Sequence, residues 1–179
     1  FTKLQKLYLR IPLISASDID YPTNTLSHLE RTELFLDSYK SKLTDVLSLF
    51  NPSRIEALYL TNYGEIVFPW EDVYDFFEML CEYKVLNMFY FAIFQVDEFG
   101  ASLFQQLCNL IIRANRAEKI FIELRTSDID NYFLGSCFEK FEEIARKREC
   151  LERLNIEISD SKTRRSLNAK RSPRLLTIT

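Results

Sequence analysis

The chain has 179 residues, 47% hydrophobic and 27% charged, with a net charge of −3. This is the composition of a single soluble globular domain able to bury its own core. No apolar run approaches the roughly 20 residues of a membrane helix, and a negatively charged body disfavours general nucleic-acid binding, which needs a basic surface to neutralise phosphates.

Residues 3–11 carry Tyr and Ile in an alternating pattern and read as a strand that Pro12 ends. The chain opens on Phe1 within the approach to this strand, so a further N-terminal domain is expected to precede it. A polar loop with Asp18, Asp20 and Pro22 follows. Ser27 and Glu30 have capping-box spacing. Leu29, Leu36, Tyr39, Leu43, Val46, Leu47 and Phe50 then fall on one helical stripe, predicting a long helix up to Asn51-Pro52.

Further strands are expected at 54–60, 85–93, 117–124 and 151–158. Helices between them are predicted from the stripes Val73-Phe76-Phe77-Leu80, then Leu103-Phe104-Leu107-Leu110-Ile111, then Leu134-Cys137-Phe138-Phe141-Ile144-Ala145. Pro69 suits the first position of the first of these helices. Arg146-Lys147-Arg148 at the end of the last suits the negative end of its dipole. Residues 1–160 form the expected repeat domain. Residues 161–179, with six cations and no acid, read as a flexible basic tail; without those six the net charge of −3 becomes −9 for the body.

The five strands share one pattern, L-x-x-L-x-L: Leu4-Leu7-Leu9, Ile55-Leu58-Leu60, Leu86-Phe89-Phe91, Ala117-Ile120-Ile122 and Leu151-Leu154-Ile156. Their first positions are 51, 31, 31 and 34 residues apart, which signals a repeat architecture. The first gap is read as one enlarged repeat and not as a hidden strand. Strands joined by helices pair in parallel through right-handed crossovers. Such a chain can form a solenoid with helices on one face or a doubly wound sheet with helices on both. The near-constant period, and the absence of a Gly-rich turn in a chain with three glycines, favour the solenoid.

This pattern resembles the leucine-rich repeat family over residues 3–158. The family's Asn or Cys three residues beyond the third apolar slot is replaced here by Pro12, Tyr63, Phe94, Arg125 and Ser159, so the asparagine ladder is absent. The likeness is to irregular, helix-backed repeats such as those of F-box-type substrate receptors and related adaptors. It implies an α/β solenoid of about five parallel strands, a role in protein recognition, and no catalysis or cofactor.

Neighbouring strand residues point to opposite faces. If the fourth and sixth slots face the helices, the fifth slots, Tyr8, Tyr59, Tyr90, Phe121 and Asn155, form a row on the other face at about 4.8 Å spacing. With Met88 and Arg153 from the third slots they make a candidate surface for a protein or peptide, with an apolar centre and a charged rim. The competing explanation is that aromatics simply suit strands, or that another layer covers them.

Asp18, Asp20, Asp97, Asp128 and Asp130 are placed along one edge as an acidic rim. Helix capping accounts for such acids without any ligand; a basic partner segment, the chain's own tail, or a metal at Asp128 and Asp130 are sharper alternatives, the last making the acidic strand ends the site of a metal-dependent enzyme, ranked third behind the two recognition readings. In the tail, Arg164, Arg165, Lys170, Arg171 and Arg174 offer a second candidate, a linear motif for docking a kinase or import receptor. His28 has no catalytic constellation around it, there is no G-x-S-x-G, and no metal site is expected. Four spaced cysteines are expected as free thiols, consistent with a cytoplasmic or nuclear protein.

Overall fold

The computed structural model describes residues 6–11, 30–36, 42–62, 66–114, 116–127, 129–172 and 175–178. Among these, strands β1 (Lys6–Ile11) and β2 (Arg31–Leu36) precede helix α1 (Leu43–Ser48). Then come β3 (Ala57–Asn62), the short β4 (Val67–Phe68), α2 (Trp70–Leu80), β5 (Met88–Val96) and α3 (Ala101–Arg113). The described chain closes with β6 (Lys119–Thr126), α4 (Asn131–Lys147), β7 (Arg153–Ser159), β8 (Arg164–Ser172) and β9 (Leu175–Ile178).

All strands belong to one mixed, mostly parallel sheet in the order β1-β2-β3-β5-β6-β7-β8-β9, with β4 paired to the end of β5. From β1 to β7 the pairing is parallel and each major strand lies next to the one before it. A doubly wound sheet needs a reversal of direction, and this order has none. Right-handed crossovers that step one way all lie on the same side. Accordingly α1, α2, α3 and α4 bury their apolar stripes in one cluster with Leu58, Leu60, Phe89, Phe91, Ile120, Ile122, Leu154 and Ile156.

The repeat pattern sets the register. Lys6, Arg31, Ala57, Met88, Lys119 and Arg153 pair in succession, and each is the third slot of its motif. The slots before the strands are repetitive too. Ile55, Leu86, Ala117 and Leu151 in the first slot are fully buried. The carbonyl of the second slot accepts two N–H bonds from the next unit in four successive repeats: Glu30 from Glu56 and Ala57, Glu56 from Asn87 and Met88, Asn87 from Glu118 and Lys119, Glu118 from Glu152 and Arg153. Each such carbonyl uses both lone pairs, so units are joined by backbone before the sheet begins.

The first gap of 51 hides a strand. The long helix expected after Leu29 is replaced by β2 and the six-residue α1. β2 pairs with β1 at an offset of 25 and with β3 at an offset of 26, so the enlarged repeat is two ordinary ones. In the sequence its motif reads Leu29-x-x-Thr32-x-Leu34, with a polar residue in the fourth slot.

The expected flexible tail is also corrected. Residues 164–172 form β8, antiparallel to β7, with Leu167 and Ala169 buried against the core. β9 then pairs with β8. On the helix side, the Arg165 guanidinium lies over Gly135 of α4, where an added Cβ would come 3.4 Å from it. An antiparallel strand needs no crossover helix, which is why β7 is followed directly by β8.

The basic end of α4 divides its work. Arg146 and Lys147 pair with Glu142 and Glu143 of the same helix. Arg148 instead turns inward, where its guanidinium donates to the carbonyls of Ile111 and Ala114 at the end of α3 and of Ala117 in the turn towards β6. The cation serves the neighbouring helix, not its own.

Cys81, Cys108 and Cys137 are buried, and Cys150 is exposed. Burial pushes the Cys108 thiol up to about 11 and the Cys137 thiol up to about 12, and raises that of Cys81. With an aromatic disulfide reagent at mildly alkaline pH, we expect one fast equivalent per native chain, abolished by Cys150→Ser, and the other thiols to react only on unfolding.

Candidate functional site

The sheet face away from the helices holds the candidate site. Ring centroids of Tyr59 and Tyr90 are 6.1 Å apart and those of Tyr90 and Phe121 are 5.7 Å apart, in a tilted series across β3, β5 and β6. The in-register pairs Tyr59↔Tyr90 and Tyr90↔Phe121 produce this row. All three rings are half-buried, while Leu58, Leu60, Phe91 and Ile122, one residue away along the strands, are at most 2% exposed. The Tyr59 hydroxyl donates to Met88 Sδ. Arg153 from β7 closes the row, with its guanidinium carbon 5.0 Å from the Phe121 centroid, a distance at which the ring quadrupole attracts the cation.

The row is not continuous to Tyr8. The backbone of Tyr8 holds the same row in β1, but its neighbour is Glu33 of β2, and Glu33 in turn is the neighbour of Tyr59. The unrecognised β2 therefore inserts a half-exposed carboxylate into the expected run of rings. At the other end the row continues as Phe121, Asn155 and Asn168, because β8 adds its own residues to the face. Ala57 and Ala92, on the strands that carry Tyr59 and Tyr90, are buried. A bulge after Phe91 resets the alternation of β5, so Phe94 turns into the core where an asparagine ladder would run in a regular repeat.

Of the expected acidic rim, Asp97 accepts the Trp70 N–H at 2.7 Å, at the start of α2, and Asp130 caps its own helix through the Phe133 N–H at 2.6 Å. Asp72, in the first turn of α2, accepts the Leu43 N–H that opens α1. Burial raises the Asp72 carboxyl against the lowering effect of that bond. These carboxylates satisfy helix N-termini. Asp18, Asp20, Asp128 and His28 lie outside the described residues. Among the described residues no three His, Cys, Asp or Glu side chains are grouped to hold a metal ion, and no helix is long and apolar enough to cross a membrane.

Of the expected docking tail, Arg164, Arg165, Lys170 and Arg171 lie in β8, which pairs with β7 over residues 164–170 and with β9 over residues 169–172; Arg174 lies outside the described residues. Arg164 pairs with Glu157 of β7 at 2.7 Å. A linear motif presents its backbone to a receptor, and here that backbone is used in the sheet. The sequence signal for β8 is slight: Leu167 and Ala169 alternate with polar residues in an otherwise charged stretch.

No protein-family model, curated protein or solved structure matches the chain.

Proposed function

We propose that this chain is a protein-recognition module, an irregular leucine-rich-repeat solenoid of the kind found in F-box-type adaptors, with no catalysis of its own. It binds a partner peptide or domain on the open sheet face and works in the cytoplasm or nucleus with its thiols reduced. The observation that carries this is the row Tyr59-Tyr90-Phe121 ending under Arg153, turned away from the helices. Aromatic and Arg side chains in a packed centre supply most of the affinity at protein interfaces. The singly wound order of β1 to β7 gives the solenoid its support, because such a sheet leaves one face without helices.

The test is selection of binders from a displayed library of random peptides on the immobilised chain. Tyr90→Ala combined with Phe121→Ala should lower the affinity of the selected peptides at least about a hundredfold, on the order of 2 kcal/mol per hot-spot ring. The circular dichroism should stay close to that of the parent, since both rings lie on the sheet face outside the buried core. Selected peptides that bind the double variant unchanged would remove the proposal.

A further inference from the structure

We infer that the partner segment is acidic, an extended peptide that crosses β5 to β8 with its apolar side chains on Tyr90 and Phe121 and its carboxylates along a cationic row. This rests on the recognition role proposed above and gives that role a partner chemistry. The row is Lys119, Arg153 and Lys170, which pair with one another across β6, β7 and β8. It is one of four parallel rows on this part of the face. The next is Phe121, Asn155 and Asn168, the third is Glu123, Glu157 and Ser166, and the fourth is Arg125, Ser159 and Arg164, whose two arginines pair with the carboxylates of the third.

The charges of these rows do not cancel. Glu123 is paired with Arg125 at 2.9 Å and Glu157 with Arg164 at 2.7 Å, so the carboxylate row is neutralised by its own strands. In the cationic row Lys119 has only a long contact with Glu152, at 3.7 Å with both side chains well exposed. Arg153 and Lys170 are exposed and make no ion pair with a described residue. A chain whose net charge is −3 thus carries a concentrated positive strip beside its aromatic row. Like charges on adjacent strands repel, so an anionic partner relieves a local cost as well as gaining attraction. Asn155, in the row between, offers an amide to the backbone of such a segment.

The face also discriminates against a polyanion. Glu33 stands in the ring row beside Tyr59. A nucleic-acid strand carries charge along its whole length and would meet this carboxylate where it followed the rings. A peptide with acids on one edge and apolar side chains on the other meets only the cations and the rings.

The test uses peptides selected from the random library on the intact chain, and fluorescein-labelled oligouridine as a second probe. The expected result is enrichment of Asp and Glu together with apolar residues. Lys119→Glu, Arg153→Glu and Lys170→Glu combined should weaken those peptides at least about tenfold, and raising the salt concentration should weaken them on the parent chain. If the triple variant does not fold, Lys170→Glu alone is read, at an exposed position of β8; it should still weaken binding. Neutral or basic consensus peptides that are lost on Tyr90→Ala with Phe121→Ala but kept on the charge variants would overturn the acidic partner while leaving the recognition face. No selected peptide, or peptides indifferent to both sets, would overturn both. Oligouridine bound more tightly than the selected peptides, and lost on the same variants, would replace the protein partner by single-stranded nucleic acid.

Discussion

Phe91→Ala is expected to destabilise the protein by about 3–5 kcal/mol, the range for removing a fully buried ring without collapse of its site. Phe91 is 0% exposed and lies at the centre of an aromatic cluster. Its ring stacks on Phe94 at 3.6 Å, lies 5.3 Å from Phe76 and 5.2 Å from Phe77, and 5.9 Å from Phe89 in its own strand. These partners come from β5 and α2, so the cavity would open where the sheet meets its helical backing. Rings are stiff, and the Phe91–Phe94 stack depends on the bulge that turns Phe94 inward beside Phe91. Phe91→Leu should recover a large part of the loss, and chemical denaturation followed by circular dichroism checks both.

Arg148→Met is expected to cost about 2–4 kcal/mol, although it trades a charged residue for an apolar one of similar length. Arg148 is 9% exposed and donates to Ala114 O at 2.8 Å, to Ala117 O at 3.0 Å and to Ile111 O. The last carbonyls of a helix have no partner within it. A guanidinium at the negative end of α3 satisfies several and complements the dipole. Methionine would take the guanidinium donors from the Ile111 and Ala117 carbonyls, while the Ala114 carbonyl keeps the Ala117 N–H at 2.9 Å; each carbonyl left unpaired where water cannot reach costs about 1–3 kcal/mol. Arg148→Lys should rescue only partly, because an ammonium lacks the planar fork that spans three acceptors. Arg146→Met, at an exposed surface ion pair, should cost less than about 1 kcal/mol and serves as the control.

Much of the fold was legible because burial repeats with the motif. The first, fourth and sixth slots of the later repeats are buried, and the third slots mark the register across six strands. What the pattern hid has physical reasons. β2 was invisible because Thr32 holds its fourth slot and because Leu29, Leu36 and Leu43 fit a helical period that runs through it. Only the end of that stripe is helical, as α1. Parallel pairing with β1 and β3 outweighs a local helical pattern. β8 was hidden by charge, since a basic run reads as solvated tail unless its alternation is given weight; Leu167 and Ala169 are the only buried residues described in it.

The candidate face was partly legible for the same reason. Tyr59, Tyr90 and Phe121 share one slot and so share one face. Glu33 and the contribution of Asn168 and Lys170 could not be placed without β2 and β8, so the charge pattern around the rings emerged only with the strand order. The acidic rim dissolves into helix caps at Asp97 and Asp130, as the position of acids just before helices allows.

The most direct measurement of the central claim is site-specific photo-crosslinking to a selected peptide. Benzoylphenylalanine would be placed either at Phe121, on the open face, or at Ile112, which is 53% exposed on α3. Recognition by the sheet face predicts adducts from position 121 and none from position 112. Adducts from position 112 with none from position 121 would place the partner on the helices and contradict the account.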